Sequence, residues 1–403
     1  MTTGKTFSTK YYIFLILFLG LLSAFGPFIT DMYLPTMPSM AEIFRTTTSK
    51  VQLGLTTSLI GLAIGQIFFG PLSDKYGRKK IIIGSLIIFS ISSIGSIYAH
   101  GIDFFNTCRF FQGLGGAGGV VVSRSVTTDC YSGRELAKTM AIIAGINNVT
   151  PVIAPVAGGF IAAAMGWQGI FWVLFGIGIV LLGMSYPFEE SLNPENRHHG
   201  KLADLFKAFP ELLRIKPFKN LVIIYILSYG ILFAYIASSS FIVQSYYGYS
   251  ELWFSMIFAI NAVGMGVGSA LILRFKDLIN APVVGNMGIL IVSLLQLIFF
   301  WLFDTLLCYE GLTFIMAVLL GVVFTSTTTM AMESGRKFIG AASATLGTSG
   351  YLFGGIVSPL VGIGNILLTT ILILLVCSLL SSFFSIRFKK KQMSSTSEKF
   401  NNI

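Results

Sequence analysis

The sequence predicts an all-α polytopic membrane protein with twelve transmembrane helices in two pseudo-symmetric six-helix bundles. Of its 403 residues, 54% are apolar and only 11% are charged, whereas a soluble chain carries about 25% charged residues. The mean hydropathy is +0.80. The apolar residues gather in twelve runs that are near the roughly 20 residues needed for one membrane span. This composition excludes a soluble domain, a disordered chain and a secreted disulfide scaffold.

The predicted spans are separated by short polar connections. The first run follows Lys5 and Lys10, as in a signal peptide, but it is too long for a signal's apolar core, so we expect a true span. The longer runs should tilt or kink. The runs are 12–31, 51–71, 81–99, 104–125, 139–164, 169–187, 219–243, 252–273, 282–303, 308–330, 339–363 and 366–386.

The basic residues predict the orientation of the spans. The formal net charge is +10, and 24 of the 27 lysines and arginines fall in the termini and in alternate connections. Because basic loops stay cytoplasmic, both termini are expected in the cytoplasm and the number of spans is expected to be even. The positive charge therefore reflects topology in a lipid bilayer, and no nucleic-acid partner is predicted.

The longest connection divides the chain into similar halves. The predicted parts are an N-terminal six-helix bundle (1–187), a cytoplasmic linker (188–218), a C-terminal six-helix bundle (219–387) and a cytoplasmic polar tail (388–403). Two halves of six spans are typical of transporters whose site lies between the halves. Apolar residues at helical spacing predict an amphipathic linker helix on the inner membrane surface, the alternative being a disordered linker: Leu202, Leu205, Phe206, Phe209, Leu212 and Leu213.

Ionisable residues inside spans are rare and mark functional candidates. Asp31 lies at the outer end of span one, and Arg109 lies early in span four. Burial favours the neutral form of a carboxyl group, so Asp31 could carry a proton; the alternative is an interfacial helix cap. Arg109 keeps its charge and would hold a substrate dipole, a carbonyl or a carboxylate, or else make a structural contact. The second half shows no clear deep charge, and Asp304 and Glu310 are expected at the outer interface.

Other in-span residues are candidates for a pocket or for helix packing. Asn147 and Asn261 are candidate pocket residues; the alternative is that they form hydrogen bonds between helices. Asn147 stands beside a second asparagine. Span five carries Pro151 and Pro155 before Gly158 and Gly159, which predicts a kinked, closely packed helix; static packing explains the glycines equally well.

Catalytic and cofactor chemistry finds no support in the sequence. The four cysteines are scattered without a CxxC pair, so neither a metal site nor another cofactor is predicted. No phosphate-binding GxxxxGK[ST] sequence occurs. No surface constellation suited to a membrane enzyme is present, so an enzyme is not predicted.

Several segments resemble the major facilitator superfamily. The loop from Gly70 to Lys80, with Asp74, Gly77 and Arg78, closely resembles the superfamily's signature loop. The segment 109–115 resembles its span-four motif, and 151–159 resembles the span-five motif of its drug:proton antiporters. The segments 31–38 and 340–347 resemble the bicyclomycin-resistance (Bcr/CflA) branch of drug exporters. Ala154 stands where the span-five motif usually has glycine, a variation expected in this branch, and Gln168 stands where the branch typically has arginine.

The resemblance implies the major facilitator fold, a bacterial inner-membrane location and export of small amphipathic compounds in exchange for protons by alternating access. It implies that Asp31 and Arg109 couple protons and that Tyr33 and Gln112 line the substrate path. A monomer suffices for this mechanism. The alternatives are a proton-coupled transporter of an endogenous metabolite on the same fold, and a sensor or scaffold that carries no flux.

The signature loop is also expected to act as a conformational latch. The resemblance implies that Asp74 meets the other half of the protein in one conformation, and that Arg78 pairs with Asp129 at the end of span four. Gly70 and Gly77 permit close packing and a tight turn. The rival interpretation, a loop that only orients the chain, explains the basic residues but not the acidic one.

Overall fold

The computed structural model describes residues 8–131, 133–197, 208–336 and 339–401. Within these ranges the chain is helical and contains no strand. It divides into two compact units, Met1–Leu205 and Phe206–Ile403.

The first unit provides six membrane crossings. Ser8 caps α1 and Thr47 caps α4, each by accepting a hydrogen bond from a backbone N–H in the first turn. A 3-10 turn at Leu34–Thr36 follows the first crossing. The helices are α1 (Thr9–Ser23), α2 (Phe25–Asp31), α3 (Met37–Ile43), α4 (Thr48–Tyr76), α5 (Arg78–Ile97), α6 (Ile102–Cys130) and α7 (Gly133–Ser185).

Helix α7 contains two crossings in 53 residues, which are joined at a kink within the short connection expected between runs 139–164 and 169–187. The helix direction breaks at Gly166, where φ is 69° and ψ is −174°. Only glycine adopts this conformation without large strain. Pro151 and Pro155 lie inside the first part of α7, where each proline removes one backbone hydrogen-bond donor.

The second unit also provides six crossings. Helix α9 continues through a π-helical turn at Ile242–Tyr246. The last helix extends from the apolar run through most of the predicted polar tail. The helices are α8 (Ala208–Arg214), α9 (Lys216–Phe241), α10 (Glu251–Leu271), α11 (Asn280–Leu302), α12 (Leu306–Ser334), α13 (Ile339–Leu360) and α14 (Ile366–Asn401).

The predicted amphipathic helix is only partly within the described ranges. Leu202, Leu205 and Phe206 lie outside them. In the short helix α8, Leu212 is buried near Gly335, whereas Leu213 is exposed. Leu212 therefore anchors the described end of the linker to the second unit.

Small residues let the helices approach closely. A Cβ on Gly113 of α6 would collide with the backbone carbonyl of Ser58 on α4. In the described part of the chain, nine helical stretches are long and apolar enough to cross a membrane, with α7 counted once. Helices α6 and α13 are not among the nine because their glycine, serine and threonine residues, and in α6 also its charged residues, lower the hydropathy. The close α4–α6 contact positions the candidate site described next.

Candidate functional site

Arg109 is fully buried within the first unit and is held by neutral acceptors. Its Nη1 donates to the side-chain oxygen of Gln112, and its Nη2 donates to the backbone carbonyl of Ile29 at 2.5 Å. A longer contact of 3.3 Å joins Nη2 to Ser58 Oγ. These acceptors come from α6, α2 and α4, so one guanidinium ties three helices together.

Aromatic rings flank the same guanidinium. The Cζ atom lies 4.2 Å from the ring centroid of Tyr33 and 5.7 Å from that of Phe171. A cation over an aromatic face is stabilised by the ring quadrupole, more strongly when water is excluded. Within the described residues, Arg109 Nε and Tyr33 Oη are buried without hydrogen-bond partners. The ring of Tyr33 therefore contacts the arginine directly.

Asp31 is the buried carboxyl group of this unit, with 5% of its surface exposed. Thr30 Oγ1 donates to its Oδ1 at 2.7 Å. In the described ranges, no lysine, arginine or histidine forms an ion pair with it. Asp31 lies two residues after Ile29, whose carbonyl binds Arg109. The structure therefore brings the two predicted proton-coupling residues into one region without pairing their charges.

This arrangement keeps a permanent cation near a carboxyl group whose charge is not compensated. An arginine stays protonated in proteins, and neutral acceptors do not remove its charge. An ionised carboxylate in an apolar interior carries a large desolvation penalty, which protonation removes. Asp31 is thus suited to bind and release a proton, whereas Arg109 is suited to hold the surrounding backbone and side chains.

The other predicted pocket residues are divided between the units. Gln112 accepts from Arg109 and donates to Ser93 Oγ at 2.8 Å, so both ends of its amide are engaged within the helix bundle. Asn147 Oδ1 is buried without a partner in the described residues, which leaves an acceptor available on α7. Asn261 belongs to the second unit. The roles of these residues as pocket lining remain predictions.

Span five approaches the Asp31 segment through Gly158. A Cβ at this position would collide with the carbonyl oxygen of Met32, and Gly159 beside it is buried. Glycine is therefore required at residue 158 for the contact between α7 and the end of α2. Pro151 and Pro155 precede this contact by one to two turns.

The signature loop folds around Arg78. The Nε of Arg78 lies 2.9 Å from Asp129 Oδ2, and its Nη1 donates to Ser73 Oγ at 2.6 Å and to Asp74 Oδ1. Ser191 Oγ also donates to Asp129 Oδ2. The structure thus brings together three of the predicted latch residues, Asp74, Arg78 and Asp129. The contact of Asp74 with the other half of the protein stays a prediction.

Glu190 completes this cluster and was not anticipated from the sequence. It accepts hydrogen bonds from the backbone N–H of Arg78 at 2.9 Å and of Lys79 at 3.3 Å, at the beginning of α5. A carboxylate at this end of a helix also interacts favourably with the helix dipole. A Cβ on Gly77, whose φ is 98°, would collide with Glu190, whereas Gly70 faces the side chain of Val121 on α6.

The second unit contains a polar cluster that corrects the expectation for Glu310. Instead of lying at the outer interface, Glu310 accepts a hydrogen bond through Oε2 from Asn261 Nδ2 at 2.9 Å, in the middle of α10. Asn261 Nδ2 also contacts Tyr235 Oη at 2.9 Å. The position of Glu310 near the beginning of an apolar run concealed its depth.

Asp304 lies at the exposed end of the same unit and accepts from two tyrosines. Tyr246 Oη is 2.6 Å from Oδ2, and Tyr247 Oη is 2.9 Å from Oδ1. Burial, reinforced by this hydrogen bond, raises the pKa of Tyr247. The three side chains join the end of α9 to the connection between α11 and α12.

No group of three or more metal-ligating side chains occurs in the part of the chain that the structure describes. Six membrane crossings in each unit, buried charges and closely packed glycines define a multi-pass membrane transport protein. The family's sequence model, Major Facilitator Superfamily, matches residues 16–359. The chain belongs to this superfamily, which is a class of transporters and not of enzymes, and the predicted fold is confirmed.

Several relatives cover most of the chain. It is 35% identical to the "Uncharacterized MFS-type transporter YdgK" of Bacillus subtilis, over 88% of this chain and 90% of the relative. It is 30% identical to a "Bicyclomycin resistance protein homolog" of Haemophilus influenzae, over 86% of this chain and 88% of the relative. The second similarity supports the predicted Bcr/CflA branch.

Solved structures show the same fold at low sequence identity. A bacterial homologue of the human lysosomal transporter Spinster has a TM-score of 0.73 and 16% identity, with 95% of this chain and 98% of that chain covered. A D-xylose-proton symporter has a TM-score of 0.71 and 16% identity, with 94% and 98% covered.

Proposed function

We propose that this protein exports small amphipathic drugs across the bacterial inner membrane in exchange for protons. The observation that carries the proposal is the buried carboxyl group of Asp31, which forms no ion pair within the described residues and lies two residues after Ile29, whose carbonyl binds Arg109. Relatives named for bicyclomycin and chloramphenicol resistance support the cargo class. Both termini lie in the cytoplasm in this proposal, as the distribution of basic residues predicts.

In the proposed cycle, Asp31 binds a proton when it is open to the outer side and releases it when it is open to the inner side. Arg109 keeps the Ile29 carbonyl, Ser58 and Gln112 in place, so the carboxyl group changes charge within a fixed frame. Substrate binding and protonation act on opposite charge states of Asp31, which makes the two events mutually exclusive.

Asp74, Arg78 and Asp129 are proposed to stabilise one conformation of this cycle. Within the first unit, Arg78 already engages both carboxylates. Breaking this cluster should therefore change the rate of interconversion more than substrate affinity. Asn147 and Asn261 are proposed as polar contacts along the substrate path, and one chain is proposed to suffice for transport.

The experiment uses proteoliposomes or inside-out vesicles with an acidic interior. Addition of bicyclomycin, chloramphenicol or a sulfonamide should release protons, as read by a pH-sensitive dye, and should lead to accumulation of the labelled compound. Asp31→Asn should abolish both signals. Asp103→Asn is the matched control because Asp103 is exposed on the surface of the same unit.

Two results would contradict the proposal. The first is gradient-driven flux of normal size in the Asp31→Asn protein. The second is the absence of proton release with every compound from a correctly inserted wild-type protein. The second result would remove the drug assignment.

A further inference from the structure

A second carboxyl group of the chain lies on a polar contact between helices and is not used by the proposed cycle. Glu310 of α12 is bound by Asn261 of α10, which also contacts Tyr235 of α9. Tyr235 is in turn stacked on Phe258, with ring centroids 5.5 Å apart and an interplanar angle of 14°. Three helices of the second unit therefore meet around this carboxyl group.

The surroundings of Glu310 contain no positive charge to stabilise its ionised form. Its Oε1 is buried and has no hydrogen-bond partner in the described residues, and no basic side chain there forms an ion pair with it. The titratable groups that interact with it or with its partner Asn261 are Tyr235 from α9, Tyr309 from its own helix, and Tyr247 from the end of α9. These groups are neutral or negative near neutral pH.

The one polar contact does not compensate for this environment. The amide of Asn261 is a single neutral donor, whereas a buried carboxylate has two oxygens and about four acceptor sites. Protonation removes the charge and gives the orphan oxygen a donor of its own. The neutral acid is therefore the form that the surroundings favour.

A small cavity in the second unit reaches Tyr309, the residue before Glu310, but not Glu310 itself. This cavity of about 10 Å³ is lined by Asp304, Tyr247, Gln296 and Tyr309, which is room for about one water molecule. Within the described residues, Tyr309 Oη and Gln296 Oε1 are buried there without hydrogen-bond partners. A water in this cavity would satisfy both groups.

We propose that Glu310 is a second proton-carrying group, held by Asn261 where α9, α10 and α12 meet. The transporter would then move protons through a carboxyl group in each unit, Asp31 and Glu310. This role in transport rests on the proposed proton coupling, but the protonation of Glu310 can be measured without any transport.

The first experiment labels the purified full-length protein in lipid nanodiscs with dicyclohexylcarbodiimide, which reacts with protonated carboxyl groups in apolar surroundings. Mass spectrometry follows the adduct on Glu310 from about pH 5 to about pH 9, a range that brackets neutrality. The adduct is expected at neutral pH and should decline as the pH rises, and the Glu310→Gln protein supplies the blank. In Asn261→Ala, loss of the donor to the ionised form should make labelling persist to higher pH.

A Glu310 adduct that is absent throughout, or that does not change with pH, would overturn the proposal. The reagent is validated in the same sample series by a second variant, Glu310→Asp, which keeps a carboxyl group and should restore the adduct that the Glu310→Gln peptide lacks. The labelling reports the protonation of Glu310 even if the protein exchanges no protons. A wrong assignment of the transport function can therefore be distinguished from a wrong assignment of Glu310 as a protonated group.

The second experiment measures protons released per substrate in the vesicle assay. Glu310→Gln should lower that ratio about twofold and flatten the pH dependence of flux, because one of two carriers is lost. Glu251→Gln, the same exchange at the beginning of α10, is the matched control and should leave the ratio unchanged. An unchanged ratio in Glu310→Gln overturns the proposal, as does a selective loss of cationic substrates at an unchanged ratio, which would make Glu310 a counter-ion for cargo.

Discussion

The substitution Arg109→Lys tests whether the guanidinium hydrogen bonds hold the helices together. It keeps the positive charge but removes the planar group that makes those bonds. The arginine donates to acceptors on α2, α4 and α6 through two of its nitrogens. A lysine has a single terminal nitrogen on a flexible stem and cannot reproduce a planar fork. We expect it to keep one of these three contacts and to lose two.

The size of the effect follows from these contacts. A hydrogen bond to a charged group contributes about 1.5–3 kcal/mol, so losing two should destabilise the first unit by about 3–6 kcal/mol. For a unit of this size, each kcal/mol lowers Tm by about 2–4 °C, so Tm should fall by at least about 6 °C. The attraction to the Tyr33 ring is largely retained, because an ammonium also binds aromatic faces.

The assay is thermal unfolding of the purified protein in detergent, followed by tryptophan fluorescence, with proton-coupled flux as a second readout. Arg124→Lys is the control because it makes the same exchange at an exposed position on the same helix. Ser58→Ala should cost less stability in the Arg109→Lys background than in the wild type. A Tm within about 2 °C of wild type would refute the argument that these contacts hold the helices together.

Three further predictions concern other contacts. Gly158→Leu should destabilise the first unit by about 1–3 kcal/mol and impair flux, since its side chain would displace the Met32 carbonyl beside Asp31. Glu190→Ala should destabilise it by about 0.5–2 kcal/mol, measured by thermal unfolding, because two N–H groups at the beginning of α5 lose their acceptor. Above about pH 10 the stability contributed by Tyr247 should fall. Its raised pKa means that the folded protein holds this proton more tightly than the unfolded chain, so the contribution is full below that pH and is lost as the pH rises toward the folded pKa.

Matched variants separate these effects from general damage. Gly176→Leu tests the same exchange where a new side chain meets open space, and it should be tolerated. Glu189→Ala alters the exposed neighbour of Glu190 and should leave Tm unchanged. Tyr247→Phe should reduce the alkaline decrease in Tm, and Tyr246, whose pKa is also raised, should account for part of the remainder. Equal effects within any matched pair would contradict the corresponding contact.

Much of the fold could be predicted because membrane thickness fixes the length of apolar runs. The helices nevertheless extend beyond those runs: α4 continues to Tyr76 and α6 to Cys130, past the predicted ends at 71 and 125. A helix can leave the apolar layer without ending, so hydropathy locates a span but not its ends. The kink at Gly166 falls between the predicted runs 139–164 and 169–187, so the connection between spans five and six was located from hydropathy.

The candidate site was predictable in its residue types but not in its pairing. Asp31 and Arg109 could be found because charges are rare in spans, but a carbonyl from Ile29 and a hydroxyl from Ser58 leave no distinctive trace in a sequence. Glu310 was misplaced because distance along the chain does not report depth when helices tilt. Glu190 was missed because one acidic residue in a polar connection has many ordinary explanations.

The break at Gly166 has a mechanical consequence. Spans five and six are joined at the kink at Gly166. A displacement of span five is therefore transmitted to span six without a long flexible loop to absorb it. Trp167 and Phe171 come directly after this pivot, and Phe171 faces the guanidinium of Arg109. Gly158, which contacts the Asp31 segment, lies before Gly166, in span five. A rotation of span five relative to span six about Gly166 would therefore move Phe171 relative to Arg109 and Gly158 relative to the Asp31 segment at the same time.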